Sequence, residues 1–257
     1  MIYEYILIFV SGAVVGSFLN VCIHRLPKGQ SIVAPGSHCP ECENPIPFYD
    51  NVPVLSYLML KGKCRFCKTS ISSRYPFVEF LSGLVSIALL YKFDFTLDFV
   101  TFFIFLLSLI VITFIDLDEK IIPNEISLPG IALGLILSPF ISTLTFRESL
   151  LGVIVGGGVL AVVALAYYGV TKREGMGGGD IKLLAMIGAF LGWNGAFISL
   201  FFGSLVGAFV GIFFMIKEGK NTKYALPFGP FLALGAVVYL FFGDSMINWY
   251  VAFIEIY

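Results

Sequence analysis

Charge is scarce in this chain. Of 257 residues only 13% are Asp, Glu, Lys or Arg, against 58% that are hydrophobic, and the mean hydropathy is +0.93. A soluble fold of this length must keep much of its surface wet, and the polar residues to cover that surface are missing. The shortage excludes an ordinary water-soluble domain and makes the bilayer the natural solvent. Histidine is scarcer still, with only His24 and His38 in the chain, both outside the apolar runs. That excludes a Ser-His triad or a His-Glu-x-x-His zinc centre inside the membrane. No Gly-Lys-Ser/Thr accompanies the glycine-rich stretch, so nothing supports a P-loop. A net charge of −1 offers no footprint for nucleic acid, and no such partner is expected. Five cysteines are too few for a secreted disulfide scaffold. Met1 to Glu4 lacks the basic start of a removable signal peptide, so the first apolar run reads as a span.

What the chain does have is apolar runs close to the roughly 20 residues that a spanning helix needs. They cover residues 5–23, 77–93, 97–115, 126–142, 149–170, 181–193, 196–216 and 225–243. Taken as one helix, 181–216 would be roughly 54 Å long at about 1.5 Å per residue, against a hydrocarbon core of about 30 Å. Trp193-Asn194-Gly195 offers a turn, so the run is divided there. Charge supports the division. With eight spans, one side of the membrane holds Arg25, Lys28, Lys61, Lys63, Arg65, Lys68, Arg74, Lys120, Lys172, Arg173, Lys182, Lys217, Lys220 and Lys223, which is 14 of the 16 basic residues. The other side holds Lys92 and Arg147. An undivided run would shift Lys217, Lys220 and Lys223 across and weaken the asymmetry. The expectation is an all-α polytopic membrane protein with about eight transmembrane helices. The basic loops lie in the cytoplasm and the N-terminus lies outside.

Between the first two spans lies a polar insert, residues 24–76, rich in proline and carrying four of the five cysteines. The expected organisation is therefore a first transmembrane helix (1–23), a cytoplasmic four-cysteine domain (24–76) and a membrane-embedded remainder (77–257). Cys39-Pro40-Glu41-Cys42 and Cys64-Arg65-Phe66-Cys67 are two C-x2-C knuckles, each able to present two thiolates to one ion. Two disulfides are the alternative, and a cytoplasmic location argues against them. Four protein ligands leave no open position on zinc, so the role expected is structural. An insert of roughly 50 residues buries little core, and the metal supplies its folding energy. Cys22, near the end of the first span, reads as a small apolar filler.

Two carboxylates stand at the cytoplasmic edge. Asp116 closes the third span, and Asp180 opens the sixth after Gly177-Gly178-Gly179, with Lys182 two residues on. Ionisable groups at membrane depth are costly and mark function, whereas Asp118 and Glu119 read as hydrated helix-end groups. The three glycines strip the backbone before Asp180 and permit close approach of an extended peptide. With no membrane histidine, acid–base chemistry falls to carboxylates. Two close aspartates can share a proton, one acting as acid while the other activates water. A helix N-terminus favours the anion at Asp180, and a helix C-terminus favours the protonated form at Asp116.

Along nearly its whole length the chain resembles the type IV prepilin peptidases. The resemblance is carried by Gly16-Ser17-Phe18-Leu19-Asn20-Val21, Arg25-Leu26-Pro27, Ser37-His38-Cys39-Pro40, Asp50 to Tyr57, Gly62-Lys63-Cys64-Arg65 and Arg74-Tyr75-Pro76. It continues through the Asp116 segment, the G-x-G-D segment ending at Asp180, and Pro227-Phe228-Gly229-Pro230-Phe231. It implies that Asp116 and Asp180 are catalytic, that Cys39, Cys42, Cys64 and Cys67 form the family's tetrad, and that Gly62 is tied to methyl transfer. It further implies cleavage of a short leader from prepilins or pseudopilins at the cytoplasmic face of the bacterial inner membrane. N-methylation of the new terminus with S-adenosylmethionine follows, in the service of pilus or type II secretion assembly. Composition and spacing carry no sign of the methyl transfer. Two other readings stand beside this one. Another G-x-G-D protease, such as a preflagellin peptidase, lacks the cysteine insert. A transporter with a zinc-responsive loop would place its acids near the bilayer midplane, where Asp116 and Asp180 do not fall.

Overall fold

The computed structural model describes residues 2–172, 176–218 and 226–255. Gly175 and the basic residues Arg173, Lys220 and Lys223 lie outside the described residues. The described residues are helical, with no strand among them and two isolated bridges, His38 with Pro45 and Lys63 with Ser70. The helices are α1 (Ile2–Arg25), α2 (Leu55–Met59), α3 (Arg74–Phe93), α4 (Leu97–Glu119), α5 (Asn124–Leu137), α6 (Phe146–Thr171), α7 (Gly178–Glu218) and α8 (Gly229–Glu255). Six of them, all but α2 and α5, are long and apolar enough to cross a membrane.

α7 is two helices. Its 41 residues would stretch to about 60 Å, twice the hydrocarbon thickness, and the run is broken at Gly192, where φ is +71° and ψ −177°. The division expected at Trp193-Asn194-Gly195 thus occurs one residue earlier, at the one glycine of this stretch whose backbone takes the left-handed φ. With the halves of α7 and the shorter α5, the described residues hold eight apolar helical segments, as the hydropathy predicts. The last differs from the expected 225–243. It starts at Gly229, with Pro230 in its first turn, and continues through exposed Asp244 to Glu255. A charge ends an apolar run without ending a helix. α6 begins at Phe146 because Thr145 and Glu148 form a reciprocal capping box, Glu148 N–H to Thr145 Oγ1 at 3.3 Å and Thr145 N–H to Glu148 Oε2 at 2.9 Å.

The chain forms two compact units, Met1–Val111 and Ile112–Tyr257, with α4 running from the first into the second. In the first, α1 packs along α3 through small residues. Gly12 and Gly16 of α1 sit against Ser82, Ser86 and Glu79 of α3, and the Ser86 hydroxyl donates to the Ile8 carbonyl at 3.0 Å. In the second, α7 packs against α5, α6 and α8. The backbones of α6 and α7 touch, since a Cβ on Gly188 would lie 2.0 Å from the Gly152 carbonyl oxygen. Leu183, Leu184, Met186 and Ile187 of α7 are fully buried there.

Candidate active site and metal centre

Asp116 lies in the last turn of α4, and the chain leaves that helix at Lys120, whose φ is +57°. Asp180 is the third residue of α7, and its N–H is donated to the Gly177 carbonyl at 3.2 Å. Both belong to the second unit, and they stand close enough for their charges to interact. Asp116 is only 5% exposed, while Asp180 is half-buried. Asp118 and Glu119, one and two places beyond Leu117, are exposed, in keeping with their reading as hydrated groups.

A third element completes the surroundings of Asp116. Gly229, the first residue of α8, donates its N–H to Asp116 Oδ2 at 2.9 Å in a buried contact. A side chain there would set its Cβ 2.7 Å from the same oxygen. A helix N-terminus therefore faces Asp116 as well as Asp180. The contrast of helix ends drawn from sequence does not separate the two aspartates. Gly229 was visible only as part of Pro227-Phe228-Gly229-Pro230-Phe231, because its contribution is a backbone N–H, and Pro230 beside it has none to offer.

Of the glycines before Asp180, Gly177 and Gly178 are exposed and open: no atom comes within 4 Å of a Cβ on Gly178, and none nearer than 3.9 Å on Gly177. Gly179 is confined by Ile122. Lys182 does not turn to Asp180. Its Nζ donates to the side-chain oxygen of Asn124, the first residue of α5.

The insert is shaped by a few long-reaching side chains. Arg25, buried at the end of α1, donates to the carbonyls of Ser31 (2.9 Å) and Pro35 (2.7 Å) and so orders the loop before the first knuckle. Arg65 grips Asp50 through two bonds of 2.6 Å and lies over the Tyr49 ring. That hydrogen-bonded pairing holds the Asp50 carboxyl below its ordinary range.

The two knuckles share one backbone design. The first N–H donates to a carbonyl five residues on, Cys39 to Asn44 at 3.0 Å and Cys64 to Thr69 at 2.9 Å. The residue after the second cysteine takes positive φ, Glu43 at +57° and Lys68 at +62°. The four Sγ atoms lie within 4.8 Å of one another, with Cys39–Cys67 at 3.8 Å and Cys42–Cys64 at 4.0 Å. No pair is bonded as a disulfide. Tetrahedral zinc with bonds of about 2.3 Å sets sulfurs about 3.8 Å apart, so the donor set fits that ion. The Asn44 backbone and side-chain N–H groups draw the Cys42 thiol down to about 6, and the N–H groups of Cys67 and Phe66 lower Cys64. At Cys67 the Thr69 N–H pulls the same way, but burial and the neighbouring sulfurs outweigh it and push the thiol up to about 12. Four crowded sulfurs cannot all ionise without a cation among them.

Gly62 adopts φ +66°, donates its N–H to the Tyr57 carbonyl at 2.8 Å, and faces the end of the Tyr57 ring. A Cβ there would lie 2.9 Å from Tyr57 Oη. The first unit also holds a half-open cavity of about 470 Å³ between the end of α1, the insert and the start of α3, with Tyr57 in its wall.

Residues 10–93 match the family described as "Bacterial Peptidase A24 N-terminal domain", and residues 103–212 match the "Type IV leader peptidase family". A prepilin leader peptidase/N-methyltransferase of Aeromonas hydrophila is 36% identical over 95% of this chain and 92% of its own length. That of Pseudomonas aeruginosa is 35% identical over 94% and 91%. That of Myxococcus xanthus is 42% identical over 84% of this chain and 64% of its own. No solved structure matches. The all-helical fold and these matches define a membrane-embedded aspartic peptidase. Within that class, the chain belongs to the type IV leader peptidase family.

Proposed function

We propose that this chain is a prepilin leader peptidase that also N-methylates the terminus it creates. The observation that carries the peptidase half is the meeting of Asp116 and Asp180 in one unit, with Asp116 buried and held by the Gly229 N–H. One carboxylate takes a proton from water, whose oxygen attacks the scissile carbonyl carbon. The other, protonated, donates its proton to the carbonyl oxygen; as the tetrahedral adduct collapses it takes that proton back, and the first carboxyl passes the proton it took from water to the departing nitrogen. The products are the leader's carboxylate and a free amine on the pilin. The exposed, open Gly177 and Gly178 leave room for an extended segment beside Asp180. Lys182, tied to Asn124, braces the start of α7 against α5.

The relatives' shared description supports the second reaction. S-adenosylmethionine, when bound, would supply an electrophilic methyl group on a sulfonium, which the freed amine would take with loss of a proton and release of the neutral thioether. Residues 24–76 form the zinc-bearing module for this step, between a first span (1–23) and the peptidase portion (77–257). Zinc is held by Cys39, Cys42, Cys64 and Cys67 in a structural role, and Gly62 shapes the module through Tyr57. The charge asymmetry of the loops supports an N-terminus outside and both reactions at the cytoplasmic face of the bacterial inner membrane. The substrates are prepilins or pseudopilins destined for pilus or type II secretion machinery. The test is to incubate purified protein with a prepilin and S-adenosylmethionine and weigh the product. A mature pilin one methyl heavier supports both halves, and an intact prepilin refutes the proposal.

A further inference from the structure

The 470 Å³ cavity of the first unit lies within the range of about 300–1,000 Å³ usual for small-ligand sites. Two of its lining residues are buried polar groups, and one of them has an atom left without a partner. Asn20 is 4% exposed. Its Nδ2 donates to the carbonyls of Gly16 (3.3 Å) and Tyr75 (3.1 Å), and two carbonyl partners fix which way the amide points. The other end, Oδ1, is buried and has no partner. Glu79, on the second turn of α3, is 9% exposed. It accepts from the Val54 N–H at 2.7 Å and from the Ser17 hydroxyl, both neutral donors. A cation brought beside this buried carboxyl would favour its ionised form and pair with it. Asn20, Glu79 and Ser17 all line the cavity.

The backbone beside the cavity, between the lining residues Val52 and Ser56, is strained. Val54 sits at φ +62°, ψ −48°, a conformation that a β-branched residue avoids. The bond from its N–H to Glu79 ties it down. Strain of this kind gathers at ligand clamps. Tyr57, three residues on, lines the same cavity and is the residue that a side chain at Gly62 would displace.

We infer that this cavity binds the methyl donor, with its sulfonium end at the Glu79 carboxylate and Asn20 Oδ1. The inference rests on the methyltransferase reading. It explains how Gly62 bears on methylation without touching the metal: a larger residue there pushes Tyr57 into the donor's space. The pilin's new terminal ammonium shares the donor's positive charge, so the test uses the donor with no pilin present.

Full-length, zinc-loaded protein in detergent is titrated with S-adenosylmethionine and, separately, with S-adenosylhomocysteine, which lacks the sulfonium charge. Glu79→Gln should weaken S-adenosylmethionine binding about tenfold or more, the size of one charge-assisted contact. It should weaken the homocysteine analogue less, narrowing the preference between them. Asn20→Leu should act in the same direction. Zinc content and the melting transition report whether each variant is folded. If a variant fails to fold, ultraviolet labelling of the wild-type protein with S-adenosylmethionine decides, since the label should fall on peptides that line the cavity. An unchanged preference in folded Glu79→Gln, or label elsewhere in the chain, overturns the cavity assignment and leaves the methyltransferase reading standing. Wild-type protein that removes leaders yet binds no donor overturns both.

Discussion

Asp116 and Asp180 are far apart in sequence, yet the end of α4 and the start of α7 bring them near enough in the second unit for their charges to interact. If they share the proton work, each is indispensable. Acid–base catalysis is worth roughly 10²–10⁴-fold, so Asp116→Asn and Asp180→Asn should each slow leader removal by at least about 10²-fold. The readout is the mass of the processed pilin. Asp118→Asn, at an exposed position, should stay near wild type. Gly229→Ala is the finer probe. Its methyl would lie 2.7 Å from Asp116 Oδ2, so either the carboxylate or the start of α8 must move. Cleavage should fall while zinc content stays constant. An unaffected rate would mean that the Gly229 contact is incidental. The aspartates were legible in the sequence because charge at the edge of an apolar run is conspicuous. Gly229 was not, because a backbone N–H has no side chain to announce it, and its aim at Asp116 depends on the docking of α8. For the same reason the sequence did not reveal that Lys182 turns to Asn124.

Helices are where this sequence is easiest to read and the joins between them hardest. Hydropathy locates the eight apolar segments of the described residues because each is an uninterrupted apolar run, the longer ones matched to the bilayer's thickness. It misplaces the α7 break by a residue, since the break is decided by which glycine takes positive φ. It also stops α8 at Asp244, which the helix passes. Contact between helices is set by glycine and cannot be inferred from hydropathy. Gly152 and Gly188 let the backbones of α6 and α7 touch, so Gly188→Leu should force the helices apart. Overpacking of this kind costs about 1–3 kcal/mol or more, read as a lower melting temperature in detergent. Gly178→Ala meets nothing within 4 Å and should not destabilise by crowding. In the insert, the cysteine spacing announces a four-thiol cluster fit to hold a metal, and the paired knuckle geometry bears out the clustering. Metal analysis should find about one zinc per chain, as four cysteine ligands on one ion require. Chelation or Cys39→Ser should leave residues 24–76 open to proteolysis, because metal binding supplies much of a small module's folding free energy. Protection that survives complete removal of zinc would show that the module folds on its own.

On the proposed function, the chain carries two chemistries on two compact units. The four-cysteine cluster, Gly62 and the cavity lined by Asn20 and Glu79 belong to the first, and Asp116, Gly229 and Asp180 belong to the second. Methylation needs the amine that cleavage frees, so the reactions are ordered even if their sites are independent. Independence has a sharp signature. On intact prepilin, Asp180→Asn should give neither product, because no amine is released. On pre-cleaved pilin, the same variant should methylate at close to the wild-type rate. Gly62→Leu should show the reverse pattern. Its side chain meets the Tyr57 ring and must also adopt φ +66°, so methylation falls while leader removal continues, leaving cleaved, unmethylated pilin. Each variant is supplied with intact and pre-cleaved substrate, and both products are followed by mass spectrometry. The opposing physical possibility is that the insert also guides the peptide to the aspartates. In that case Gly62→Leu would slow cleavage as well, and chelating zinc would do the same. A folded Asp180→Asn protein that cannot methylate pre-cleaved pilin would show that the second unit takes part in methyl transfer, and the division of labour between the units would have to be abandoned.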